Sequence, residues 1–244
     1  MPIRAVLWDI DDTLFDYTGS DRAGVRRHLE AEGLTDRYGP PDQAFGLWRE
    51  IWREQFARFR AGEIDFREHR RERVRVFLDA PLLTAAEADA WFGRYTRHYE
   101  AAWTLFPDAR PALDTVAPHF RQAVLSNAAA VAQRRKLTTL GVRGHFEHLL
   151  CADELGCAKP EPEAFLAACA ALGLPPAEVL YVGDELETDA VGACEAGLLG
   201  VWLDRTGTEP PAALPDGVRR IRGLHELPGL LDPVIDFGAP STFG

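Results

Sequence analysis

A short apolar stretch, Ile3 to Trp8, stops abruptly at Asp9, Ile10, Asp11, Asp12, Thr13 and Leu14. Ala5, Val6, Leu7 and Trp8 carry no alternating polar residue, which predicts a strand buried on both faces. Strands of that kind belong to parallel sheets covered by helices, and such sheets present functional groups at their carboxyl ends. Asp9 and Asp11 stand at that end. Residues two apart in a strand or tight turn point the same way, so both carboxylates can reach one reacting group, one attacking while the other moves a proton. By themselves the two aspartates are equally consistent with an acidic turn.

Three further segments, in fixed order, bear on that choice. Val124, Leu125, Ser126 and Asn127 are a second apolar strand ending in a hydroxyl and an amide. Lys159 precedes Pro160 at the start of a helix, where an ammonium opposes the helix dipole and asks for a compensating anion. Val182, Gly183, Asp184 and then Asp189 close a third strand with a glycine and two carboxylates. With these four motifs in this order, residues 3 to 204 resemble the haloacid dehalogenase superfamily of hydrolases, in its phosphatase branch.

From Phe106 onward, helix and strand alternate. Helices are expected near 108 to 117, 129 to 139, 162 to 173 and 188 to 196, and strands ending at Ser126, near 147 to 151, over 178 to 182, and last over 200 to 203. Such alternation predicts an α/β fold with a doubly wound, Rossmann-like parallel sheet. The resemblance adds the strand order, placing the first strand between those carrying Ser126 and Asp184. Between Leu14 and about residue 103 the pattern is helical throughout. Four amphipathic helices are expected near 20 to 32, 43 to 60, 64 to 79 and 85 to 102, the last opened by the capping-box pair Thr84 and Glu87. The stripes Trp48, Ile51, Trp52, Phe56, Phe59 and Trp91, Phe92, Tyr95, Tyr99 read as the core of a helical bundle, and Arg67, Arg70, Arg71, Arg73 and Arg75 as a solvated helix face. The expected organisation is an α/β core over 1–15 and 104–232, a helical cap over 16–103 and a loose tail over 233–244.

The resemblance implies roles. Asp9 would attack phosphorus, giving an aspartyl-phosphate, and Asp11 would protonate the leaving oxygen and then take a proton from water. Ser126, Asn127 and Lys159 would bind the non-bridging phosphoryl oxygens. Three carboxylates so close need a cation to coexist. Magnesium is implied, held by the carboxylates of Asp9 and Asp184 and the main-chain oxygen of Asp11, with Asp189 in support. Asp12 stands where the family often has glycine.

Net charge −11 argues against a nucleic-acid or anionic-membrane partner, which needs a positive field. Cys151, Cys157, Cys169 and Cys194 lack zinc or redox spacing and read as reduced thiols. No leader and no membrane-length apolar stretch is evident, so a cytoplasmic enzyme acting on a small phosphorylated metabolite is expected. A phosphomutase shares both aspartates. Halide displacement from a haloacid does not require Asp11, and a non-catalytic phosphometabolite-binding protein would not require every motif residue intact. Nothing in the sequence sets the oligomeric state.

Overall fold

A computed structural model describes residues 2–207 and 214–231; the tail expected from Pro233 lies outside the described residues. The chain forms two compact units, one running through Asp16 and resuming at Thr104, the other spanning Tyr17–Trp103.

The first unit is built on a parallel sheet of six strands: β1 (Ala5–Trp8), β2 (Arg121–Ser126), β3 (His148–Cys151), β4 (Val179–Gly183), β5 (Leu199–Leu203) and β6 (Arg219–Ile221), in the order β3-β2-β1-β4-β5-β6. Every residue of β1 is buried, as its unbroken apolar run requires. Ala5 and Leu7 share one core cluster with Ala123, Leu125, Val179 and Tyr181 and with Phe165 and Leu172 of a covering helix; Val6 and Trp8 point to the other face and are equally inaccessible. Trp8 pairs with Val124 on one side and Val182 on the other. That register brings Asp9, Ser126 and Asp184 out at nearly one level, at the switch point where a doubly wound sheet opens its crevice.

Two elements of this unit differ from expectation. A sixth strand extends the sheet beyond Leu203, pairing Val201 with Arg219 and Leu203 with Ile221. It is three residues long, begins with two arginines and lies at an edge, where a polar strand is favoured and carries no apolar signature. The helix expected over 188 to 196 begins instead as a π-helical turn, Leu186–Val191, and becomes α-helical only over Gly192–Glu195. Such turns are rare and often lie beside functional groups; this one carries Asp189.

The second unit contains α1 (Tyr17–Glu32), α2 (Thr35–Tyr38), α3 (Pro41–Arg60), α4 (Phe66–Leu78) and α5 (Ala85–Glu100). The short α2 adds to the four expected helices. The Thr84–Glu87 capping box is formed, and Gly24 of α1 lets α5 approach so closely that a Cβ there would lie 2.7 Å from the Tyr99 Cα. Of the first aromatic stripe, Trp48 and Ile51 enter the unit's core, while Trp52, Phe56 and Phe59 are half-buried, with Trp52 stacked on Phe56 and Phe59 tilted against that ring. Arg73 departs from the solvated face assigned to it. It is buried with its guanidinium 3.6 Å from the Trp48 ring centre and 3.8 Å from fully buried Asp21, so the unit's core contains an ion pair that spacing alone does not reveal.

The α/β unit continues with α6 (Ala109–Val116), α7 (Ala130–Thr139), α8 (Ala152–Leu155), α9 (Pro162–Leu172) and α10 (Gly192–Glu195). Among the described residues no helix is long and apolar enough to cross a membrane.

Candidate active site

The chain leaves β1 into a turn in which the Thr13, Leu14 and Phe15 amides all return to the carbonyl of Ile10. Asp12 sits in this turn at φ 61°, left-handed backbone that aspartate tolerates better than most residues and that glycine adopts freely. Its difference from the family's glycine is therefore conformationally matched. The turn holds Asp9 at the strand end, 6% exposed, and Asp11 just beyond it, more accessible.

Lys159 reaches Asp9 from the loop before α9. Its Nζ donates to Asp9 Oδ1, to Asp189 Oδ1 and to the Tyr181 hydroxyl, each at 2.7 Å. Asp189 is buried. Its Oδ2 accepts the Glu185 amide at 3.0 Å, so both of its oxygens are engaged in holding Lys159 and the turn after β4. Asn127 fixes the same loop through its main chain: its Nδ2 donates to the Lys159 carbonyl and its Oδ1 accepts the Lys159 amide, both at 2.8 Å. The Asn127 amide thus ties down the loop carrying Lys159, and its Nδ2 keeps a second hydrogen beyond the one given to the Lys159 carbonyl. Ser126 is buried beside it, accepting the Ala128 amide at 3.2 Å and the Gln133 side-chain amide at 2.9 Å.

Asp184 follows β4, and its main-chain oxygen accepts the Trp202 indole N–H at 2.9 Å. Its carboxylate is held only loosely by the Thr13 hydroxyl, at 3.4 Å. Carboxylate oxygens of Asp9, Asp184 and Asp189 lie within 4.8 Å of one another.

The electrostatics follow from crowding and burial. Asp9 is raised to about 7 as the net of burial, which pushes it up, Lys159, which pulls it down, and the charges of Asp189 and Asp11, which push it up. Asp184 is pushed up to about 9, first by burial and then by Asp9, Asp189, Asp12 and Glu185. Burial alone would lower Lys159, but Asp189 and Asp9 outweigh it and hold the ammonium well above the ordinary lysine range. One ammonium serves three clustered carboxylates, leaving two negative charges when all are ionised. Asp189 has its oxygens committed, whereas Asp9 and Asp184 offer oxygens to a hard divalent cation, and such oxygen donors suit magnesium.

Three residues outside the four motifs join the site. On α7, Lys136 Nζ makes a close ion pair with Asp11 Oδ1, and Gln133 Nε2 donates to Asp11 Oδ2 at 2.6 Å. Tyr181, fully buried on β4, adds the hydroxyl that Lys159 contacts.

A sequence model of the family described as haloacid dehalogenase-like hydrolase matches residues 3–197. The chain is 28% identical over 239 residues to N-acylneuraminate-9-phosphatase of Rattus norvegicus, covering 95% of each chain. It is 34% identical over 203 residues to phosphoserine phosphatase of Thermus thermophilus, covering 82% of this chain and 74% of that one. Among solved structures it resembles the HAD-hydrolase YfnB of Bacillus subtilis bound to magnesium, with a TM-score of 0.76 at 21% identity, covering 95% of this chain and 100% of that one.

Proposed function

The chain belongs to the haloacid dehalogenase-like hydrolase family, and we propose that it is a magnesium-dependent phosphatase that hydrolyses a small phosphorylated metabolite through a phosphorylated Asp9. The observation that carries this reading is the charge imbalance at the ends of β1 and β4. A buried nucleophilic carboxylate lies 2.7 Å from one ammonium, beside a second carboxylate, Asp184, with only a 3.4 Å hydroxyl contact. The named phosphatase relatives support phosphate-ester hydrolysis.

Asp9 and Asp184 would hold the cation, with the Asp11 main-chain oxygen completing the protein's share. When bound, the cation offsets the negative charge of the carboxylates and the phosphoryl group. Lys159 neutralises part of the charge on Asp9 and would turn a hydrogen from one of its three present acceptors to a non-bridging oxygen of the substrate. The Ser126 hydroxyl already accepts two N–H groups, so its single hydrogen is free to be donated to another phosphoryl oxygen. The second Asn127 Nδ2 hydrogen would serve a further phosphoryl oxygen. A bond then forms from an Asp9 oxygen to phosphorus as the ester P–O bond breaks, and Asp11 gives its proton to the leaving oxygen. In the second half, water attacks phosphorus, the bond from phosphorus to Asp9 breaks, and the water's proton passes to Asp11. The relatives act on chemically different phosphorylated compounds, so the substrate is placed in the class of small phosphate esters, with selectivity assigned to the helical unit as a cap.

Release of phosphate from a panel of small monoesters, with magnesium and with excess chelator, tests the reading. Asp9→Asn keeps side-chain volume and leaves Lys159 paired with Asp189, so it should melt like the parent while losing turnover. Full activity in chelator, or an active Asp9→Asn enzyme, would overturn the mechanism.

A further inference from the structure

Asp11 has the most mobile task in the proposed reaction, because its carboxyl must meet the leaving oxygen in one half and water in the other. It is also more accessible than Asp9, with a side chain 29% exposed, and a free aspartate there would sample several rotamers. It is not free. Lys136 takes one oxygen and Gln133 the other, both from the same face of α7 one turn apart.

We propose that Lys136 and Gln133 are positioning residues that clamp the Asp11 carboxyl, and that Gln133 couples it to the phosphate-binding Ser126. This rests on the reading of Asp11 as the proton-transferring group of a phosphatase.

Three features support the clamp. The first is its anchorage: the Asp153 carboxylate accepts the Ala130 amide at 3.0 Å, capping the first turn of α7 and fixing the helix that carries both residues. The second is the burial of the donors. The Lys136 side chain is 7% exposed, and its ammonium lies 4.3 Å from the centre of the Phe15 ring. A lysine so enclosed carries a large desolvation cost unless a carboxylate meets it, and the carboxylate it meets is Asp11. The third is the direction of Gln133. Its Nε2 divides two hydrogens between Asp11 Oδ2 at 2.6 Å and Ser126 Oγ at 2.9 Å, while its own buried Oε1 finds no partner among the described residues. Leaving an acceptor unsatisfied is costly for a residue that only fills space. The cost is consistent with an amide oriented by the two site residues it serves. The amide end facing Asp11 is the nitrogen, because only the nitrogen can donate to an unprotonated carboxyl oxygen. With Ser126 Oγ accepting from Gln133 and Ala128, the hydroxyl hydrogen has one direction left, so the same amide would set both the proton-transfer group and a phosphate ligand.

Leaving-group dependence distinguishes positioning from mere support. An aryl phosphate needs little protonation of its leaving oxygen, and an alkyl phosphate needs it fully. Lys136→Met should lower kcat for an alkyl phosphate by about 100-fold and for an aryl phosphate by less than about 10-fold. KM for both should stay within about threefold, since the phosphate ligands are untouched. Lys136→Arg, which restores a cation at the clamp, should recover part of the alkyl rate. Gln133→Leu should show the same split and also weaken inhibition by orthovanadate through Ser126. Because Asp11 is partly exposed, none of these variants strands a fully buried charge, and thermal melting verifies that each is folded. Equal losses for the two esters, or an alkyl rate undiminished in Lys136→Met, would overturn the clamp and leave the phosphatase reading intact. A parent enzyme inactive on every ester with magnesium would instead overturn that reading and the clamp with it.

Discussion

Gly183 closes β4, and its substitution by alanine probes how rigidly the site is held. A Cβ at this position would lie 2.2 Å from Asp189 Oδ2, 2.4 Å from its Cγ and 2.7 Å from its Cβ. The obstacle is space. Asp189 cannot swing aside cheaply, because Oδ1 is bonded to Lys159 Nζ at 2.7 Å and Oδ2 to the Glu185 amide at 3.0 Å. Restoring a contact of about 3.5 Å requires a shift of about 1.3 Å, which takes either hydrogen bond out of useful range. Overpacking costs about 1–3 kcal/mol, and losing one hydrogen bond to a charged group about 1.5–3 kcal/mol. The sum is about 2.5–6 kcal/mol, which at about 2–4 °C per kcal/mol lowers the melting temperature by at least about 5 °C in a chain of this size. Turnover should fall with it, since Lys159 loses the partner that orients it toward Asp9. Thermal denaturation and initial rates of Gly183→Ala, Asp189→Ala and the double variant supply the check. In the Asp189→Ala background the carboxylate is gone but the Cβ contact at 2.7 Å remains, so the added methyl should cost only the overpacking part, about 1–3 kcal/mol, with no hydrogen bond left to lose. A Gly183→Ala enzyme melting within about 1 °C of the parent, or an equal cost in both backgrounds, would refute the close approach as the reason for glycine.

The remaining expectations concern pH and the helical unit. Asp9 and Asp184 have folded-state values raised to about 7 and about 9, so their contribution to stability is fully present below about pH 4 and is lost as pH rises through 7 and then 9. Magnesium should therefore raise the melting temperature more at pH 9 than at pH 6, and a rise that is equal or larger at pH 6 would contradict the charge imbalance. In the helical unit, Asp21→Asn leaves the buried Arg73 guanidinium without its counter-charge, at a cost of about 3–5 kcal/mol. Hydrogen exchange should speed up in α1 and α5, and unchanged protection there would show that the pair is not structural.

What the sequence discloses and what it hides follow one physical division. Asp9, Ser126 and Asp184 are legible because each directly follows or ends a strand whose burial leaves an uninterrupted apolar run, so polarity at the strand end stands out. Lys159 is legible because a cation beside a helix start is electrostatically unexpected. The edge strand β6 and the π turn at Asp189 have no such contrast: one is short and arginine-rich, and the other differs from an α-helix only in winding. Gln133 and Lys136 are a different case, because α7 shows a weak version of their signal. Its buried residues are Ala130, Gln133, Lys136 and Leu137, a spacing of three to four that marks one inward face. Two of those four positions carry polar side chains, and one is among the chain's two lysines. A polar residue on an inward stripe must find a partner or bear a desolvation cost. Arg73, on the inward face of α4 with His69, Val74 and Phe77, follows the same rule and finds Asp21. The rule locates such residues but not their partners, since the partner lies 125 residues away for Lys136 and 52 for Arg73. Periodicity is a property of one helix, whereas pairing is a property of the fold. The four motifs therefore point to the groups proposed to react, and only the folded chain shows which side chains meet Asp11.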